Sequence, residues 1–354
     1  MAVLLAVVAS STFIATRDNG LRTPLRETVS LPEVAVAAPE PVAAPKTMPL
    51  PKANPDGPSI IKVDPDASPS GNVIVIRDPS ALTRNPRTAH LPDRELLGDT
   101  ETGPLPIRSA DGRRPFDVYA GAWSGSRGAK VALVIGGLGL SQTGTQAAIN
   151  ALPAEVTLGF ASAGNSLSRW MQSARQKGHE IVMQIPLEPF DYPAVNPGRN
   201  TLTVDAEPEQ NLDNLRWALS RTTNYTGVMN HMGGRFVGER DAMTPVMQEL
   251  GRRGLLYLDD GTSARSVAPE LALGNAVPFA AGDGIIDGVR ERGAILKKLD
   301  ELEATARARG SAIGIGSAFD MTVDAVVSWV AEAKKRGIEI VPVSAVANDP
   351  EAGR

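Results

Sequence analysis

Lys177-Gly178-His179-Glu180-Ile181-Val182-Met183-Gln184-Ile185 and Arg309-Gly310-Ser311-Ala312-Ile313-Gly314-Ile315 carry one phrase: a basic residue, a glycine, then a short apolar run. Arg253-Gly254-Leu255 and Arg336-Gly337-Ile338 repeat it. A cation in a last helical turn faces the negative end of the helix dipole, and a glycine just beyond takes the left-handed capping conformation. Each phrase therefore reads as a helix stop followed at once by a strand. Helix-then-strand repetition is the signature of parallel βαβ units.

Outward from these phrases, strands are expected at Val131–Ile135, Val156–Phe160, Glu180–Ile185, Gly227–Asn230, Leu255–Leu258, Ala276–Phe279, Ala312–Ile315 and Glu339–Val343. Helices are expected at Ser141–Leu152, Ser166–Lys177, Pro208–Arg221, Arg240–Arg253, Asp287–Arg309 and Thr322–Arg336. Pro208 suits a first helical turn, where its missing N–H costs nothing. Right-handed crossovers and this number of strands predict an α/β fold of the (β/α) barrel type over residues 129–347, with an open doubly wound sheet as the alternative.

The chain before it differs in kind. Of the 28 prolines among 354 residues, most fall between residues 24 and 115. Proline fixes φ and removes a donor, so residues 17–128 read as a disordered Pro/Ala-rich tether, in which Asn72–Ile76 is a short alternating run. Residues 1–16 are apolar but lack basic residues ahead of them, and Arg17, Arg22 and Arg26 follow. They read as the remnant of a signal anchor whose basic segment lies upstream of the assigned start, with the globular part in the periplasm and the inner membrane as its anchorage. Residues 348–354 are expected to be a disordered tail.

Composition narrows the chemistry. A net charge of -4 gives no basic face for nucleic acid. The absence of cysteine excludes disulfides, thiolate metal sites and a thiol nucleophile. Three histidines, His90, His179 and His231, are few for an imidazole-rich metal site. Chemistry in such barrels gathers at the C-terminal strand ends. Those ends hold Gly136-Gly137-Leu138-Gly139, Gln184 with Glu188, Asn230-His231 with Arg235, Asp259-Asp260 and Gly316-Ser317. The glycine run lacks dinucleotide-loop spacing. His231 and Asp259 are the candidate metal ligands, and Asp259 and Asp260 the candidate bases.

In order, Val-Ala-Leu-Val-Ile-Gly-Gly-Leu-Gly (131–139), Gln-Ile-Pro-Leu-Glu-Pro (184–189), Asn-His-Met-Gly-Gly-Arg-Phe (230–236), Leu-Tyr-Leu-Asp-Asp-Gly (256–261) and Ala-Ile-Gly-Ile-Gly-Ser (312–317) resemble the divergent polysaccharide deacetylase family. The resemblance covers residues 130–347. It implies a distorted NodB-like barrel, an envelope location and acetylated polysaccharide as the substrate class. Relatives that keep catalytic equipment carry an Asp-Asp pair where this chain has Gly136 and Gly137. They carry a His at the position of Gln184, and Gly-His where it has Gly316-Ser317.

Metal-assisted deacetylation needs a water activated by a metal and a base to take its proton. Those positions are lost here, so no cofactor is expected, or at most a weakly held divalent metal such as zinc. The mouth is expected to bind an envelope polysaccharide, a peptidoglycan-like glycan or an envelope protein through Gln184, Glu188, Asn230, His231, Arg235, Asp259 and Ser317. The alternatives are a hydrolase with a relocated site at Asp259 or Asp260, and an envelope scaffold.

Overall fold

The computed structural model describes residues 88–352. The apolar stretch 1–16, the run Asn72–Ile76, most of the expected tether and the last two residues lie outside the described residues. Among the described residues, no helix is long and apolar enough to cross a membrane.

The body is built on strands β3 (Lys130–Leu138), β4 (Thr157–Ala161), β5 (Ile181–Leu187), β6 (Gly227–Met232), β7 (Leu256–Asp259), β8 (Phe279–Ala281), β9 (Gly284–Ile285), β10 (Ser311–Ser317) and β11 (Glu339–Val341). They form one parallel sheet in the order β8-β7-β6-β5-β4-β3-β10-β9, with β11 added on β3. β11 lies along Lys130–Ala132, and β4 takes over from Val134 onward. β8 and β9 do not pair, so the sheet curls into a barrel that stays open at that seam. Helices connect the strands, among them Gln142–Ala151, Leu167–Gln176, Pro208–Leu219, Arg240–Arg253, Arg292–Arg309 and Asp320–Lys335. Pro208 opens its helix, and the glycines of the repeated phrase have φ of +93° (Gly178), +67° (Gly254), +91° (Gly310) and +80° (Gly337). The cap reading of the phrase therefore holds.

Alternation along the strands divides the core in two. Val131, Leu133 and Ile135 join a large cluster with the helices, including Trp170, Leu250 and Val326. Ala132 and Val134 join a smaller cluster inside the barrel with Val182, Met229, Leu258 and Ile315. Side chains on a strand point alternately to opposite faces, so a sheet covered on both sides reads as a continuous apolar run.

The structure differs from expectation at both ends of the body. Residues 88–128 do not all run as tether. A helical turn at Arg94–Leu96, an antiparallel hairpin β1 (Leu97–Thr100) and β2 (Gly103–Pro106), and a short helix at Pro115–Val118 are formed. Leu96, Leu105, Phe116 and Tyr119 are buried. These few apolar residues are too widely spaced to show a period, and tertiary contacts place them. Residues 348–352 are likewise held. Asn348 and Phe279 exchange backbone hydrogen bonds of 2.9 and 2.7 Å, and buried Arg114 pairs with Asp349 and Glu351. Helix Ala268–Gly274 and strand β9 are too short to stand out in the sequence.

His179 is buried just ahead of β5, with its ring nitrogens 2.9 Å from Val156 O and 3.4 Å from Ile149 O. Burial lowers its pKa, against those carbonyl contacts. The neutral ring is thus favoured more in the folded than in the unfolded chain. Its stabilisation is present above the unfolded value, about 6.5, and is lost as pH falls below it. The expected result is a melting temperature that falls from pH 7 to pH 5 more steeply in the native chain than in His179→Gln, as followed by circular dichroism.

Candidate functional site

The alternation that fills the barrel also builds its mouth. Ala132 and Val134 face inward, so Gly136 does too; Val182 leads to Gln184, Met229 to His231, and Ile313 and Ile315 to Ser317. Register aligns Ser317 with Gly136, Ala161 with Gln184, and His231 with Pro186. Gly136, Gly137, Gln184, Pro186, His231 and Ser317 accordingly line one cleft of about 130 Å³. A larger open groove of about 630 Å³ lies beside Trp123 and Glu339, by the N-terminal ends of β3 and β11. That is the end of a parallel barrel where residues serve stability rather than chemistry.

Gln184 is the keystone of the cleft. Its Oε1 accepts a 2.6 Å hydrogen bond from the Gly137 N–H. A Cβ on Gly136 would lie 2.6 Å from Gln184 Nε2, so the amide occupies the space that a side chain at 136 would use. Gly159 closes in from β4, where an added Cβ would come 3.1 Å from the Gly136 Cα. Gly137 has φ +79°, a left-handed conformation open to glycine. His231 stands at the cleft wall with part of its ring open to solvent; desolvation by the surrounding protein lowers its pKa, and the charge of Asp260 acts against that shift. Ser317 receives support that the sequence did not reveal: buried Asp287 accepts from the Ser317 N–H at 2.7 Å and from Thr322 Oγ1 at 3.0 Å. Asp287 follows the two-residue strand β9, whose brevity hid it.

The other expected residues lie outside the cleft lining and are committed elsewhere. Asp259 continues the outward parity of Tyr257. Its carboxylate accepts from Gly261 N at 2.9 Å and Ser266 Oγ at 2.5 Å, and burial raises its pKa. Asp260 accepts from the Thr262 N–H and hydroxyl at 3.0 and 2.7 Å. Asn230 spans two backbones, accepting from Asp260 N at 2.8 Å and donating to Met232 O at 2.7 Å. Buried Glu188 accepts from Val204 N at 2.6 Å and from the Arg235 guanidinium, which also pairs with Asp205. That pairing raises the Arg235 pKa, first through the Glu188 hydrogen bond. Glu188 and Arg235 therefore brace the loops after β5 and β6.

Residues 133–347 match the family model of the divergent polysaccharide deacetylases, and the chain belongs to that family. The uncharacterized protein YibQ of Escherichia coli (strain K12) is 24% identical over 222 residues, which cover 63% of this chain and 68% of YibQ. An uncharacterized protein of Haemophilus influenzae is 28% identical over 187 residues, 53% of this chain and 66% of that one. The crystal structure of the uncharacterized protein ATU2773 from Agrobacterium tumefaciens C58 is 55% identical, with a TM-score of 0.68 over 69% of this chain and 99% of that chain. The fold is the distorted NodB-like (β/α) barrel expected of this family.

The metal that the family's fold implies does not fit the residues present. The cleft lining contains no carboxylate and a single imidazole, His231. The Gln184 oxygen is already bound to Gly137. Among the described residues, no group of three or more His, Cys, Asp or Glu side chains is placed to hold a metal ion. His231 and Asp259, the two candidate ligands, diverge by strand parity: one faces the cleft and the other the helix layer.

Proposed function

We propose that this chain is a non-catalytic member of its family that binds acetylated envelope polysaccharide in the mouth cleft. The observation that carries the reading is convergence. Gly136, Gly137, Gln184 and Ser317, the positions at which the chain departs from its catalytic relatives, meet around one cleft, where glycines stand in place of carboxylates and an amide and a hydroxyl in place of imidazoles. Clustered carboxylates without a cation would cost several kcal/mol each in a desolvated site, and their absence lets the mouth stay folded without metal. Gln184 Nε2, the Ser317 hydroxyl and the His231 ring then face the ligand as neutral hydrogen-bonding groups suited to sugar hydroxyls and acetamido groups. Glu188, Arg235, Asn230 and Asp259 support the loops around them.

Calorimetric titration of zinc, and separately of acetylated glycan fragments, tests the reading. Glycan binding is expected to survive chelation and to weaken at least tenfold in Gln184→Ala. Submicromolar zinc binding, stronger than about -8 kcal/mol, together with acetate release would overturn it. The same proposal places the domain in the periplasm on an inner-membrane anchor, supported by the apolar residues 2–8 and the proline-rich composition that follows. A reporter active only outside the cytoplasm, fused to the C-terminus of the full chain, is expected to be active; a silent one would end that part.

A further inference from the structure

The cleft of about 130 Å³ is smaller than the roughly 150 Å³ cavity that takes up a benzene ring. A hydroxylated sugar ring is bulkier than benzene, so the cleft admits a substituent and leaves the sugar on the rim. That rim carries several exposed apolar side chains. In the loop after β5 stand exposed Phe190 and Val195, and at the end of β6 Met232; after β9 and β10 stand exposed Val289, Phe319 and Met321. Leu140, exposed after β3, lies between the two groups and lines the cleft. In the sheet order β6-β5-β4-β3-β10-β9, these lobes fall on opposite sides of the mouth. Exposed apolar patches rimmed by polar groups mark binding surfaces.

Both aromatic rings are held in place. Phe190 lies against the Gly233–Gly234 turn, where a Cβ on Gly234 would come 3.1 Å from the ring, yet the residue is 65% exposed. Its loop also supplies Pro197 to the cleft, beside Pro186 of β5. Phe319 follows the cleft residue Ser317 by two positions, and the Arg290 guanidinium covers one face at 4.0 Å. A fixed aromatic face loses little conformational entropy when a ligand stacks on it.

We infer that Phe190 and Phe319 are stacking platforms on either side of the cleft, and that the mouth takes an internal stretch of a linear polysaccharide chain. This rests on the glycan reading above and adds the mode: one substituent enters the cleft, and flanking sugars rest on the two lobes. Polymers, not single sugars or chain ends, are then the preferred ligands.

Titration of the full chain with the N-acetylglucosamine monomer and its pentamer tests this. The pentamer is expected to bind at least tenfold more tightly, equivalent to about 1.4 kcal/mol. Phe190→Ala and Phe319→Ala are each expected to cut that ratio at least threefold without lowering the melting temperature. Leu273→Ala, equally exposed on a helix end, is expected to leave it unchanged. A native ratio near one, or a ratio indifferent to both phenylalanines, overturns the platforms while monomer binding still upholds the cleft; an apolar rim that serves a protein partner would give this outcome. Binding of neither sugar overturns both readings.

Discussion

Replacing Glu180 with alanine is expected to cost about 3 kcal/mol of stability, a loss of roughly 6–12 °C in melting temperature for a domain of this size. Glu180 is fully buried immediately before β5 and ties three distant segments to the barrel base. It accepts from Gly121 N at 2.7 Å, from Ser344 N at 3.0 Å and from the Ser344 hydroxyl, with Thr157 Oγ1 at 3.4 Å. Alanine would leave two backbone N–H groups without acceptors in a closed site. Gly121 is pressed so close to Pro342 that an added Cβ would lie 2.7 Å from it, leaving little room for the segment to find other partners.

Burial raises the Glu180 pKa, against its hydrogen bonds. Above that raised value the buried charge works against folding, and the penalty is relieved as pH falls through it towards the unfolded value, about 4.3. The deficit of Glu180→Ala relative to the native chain should therefore be largest at low pH, where the native carboxyl carries its proton. Thermal melts across pH 4.5–8, with limited proteolysis between residues 122 and 128, read both effects. An unchanged melting temperature and cleavage rate would show that the base network is not what holds residues 88–121.

The barrel was legible because its punctuation is local. A cation, a glycine and an apolar run encode the helix stop and the strand start within a few residues, and each repetition sharpens the reading. The segment around Leu96, Leu105 and Phe116 was not legible, because a few buried side chains held by distant partners leave no period. Arg114 makes the point: its partners Asp349 and Glu351 lie at the other end of the chain. At the mouth, the two cleft glycines were legible as residue types, and a glycine has no side chain to bind with. Which neighbours face the cleft was legible only through strand parity. Leu256 and Leu258 point into the barrel, so Asp259 points out of it. Treating every polar residue at a strand end as a site residue loses that distinction, and for the same reason overstates Asn230.

Gly261→Ala is expected to be at least as disruptive, at about 3–5 kcal/mol, and it separates structure from chemistry in the Asp-Asp-Gly turn. Gly261 has φ +72°, and a Cβ there would lie 2.0 Å from the Gly282 carbonyl oxygen. Neither backbone can retreat cheaply. Gly282 N donates to Asp259 O at 2.9 Å, and an added Cβ on Gly282 would itself meet Asp260 O at 2.8 Å. The two chains touch where β7 ends beside β8, close to the open seam, so separating them would loosen the pair that carries that edge. Asp259→Asn probes the same turn without steric change. It keeps an acceptor for the Gly261 N–H and removes a buried charge, so it should cost less than about 1 kcal/mol and leave glycan binding as it was. A folded Asp259→Asn chain that no longer binds glycan would move Asp259 from the turn into the site, and the parity argument would fall with it. A large loss in Gly261→Ala beside normal binding in Asp259→Asn would establish that Asp-Asp-Gly shapes the mouth without touching what it holds.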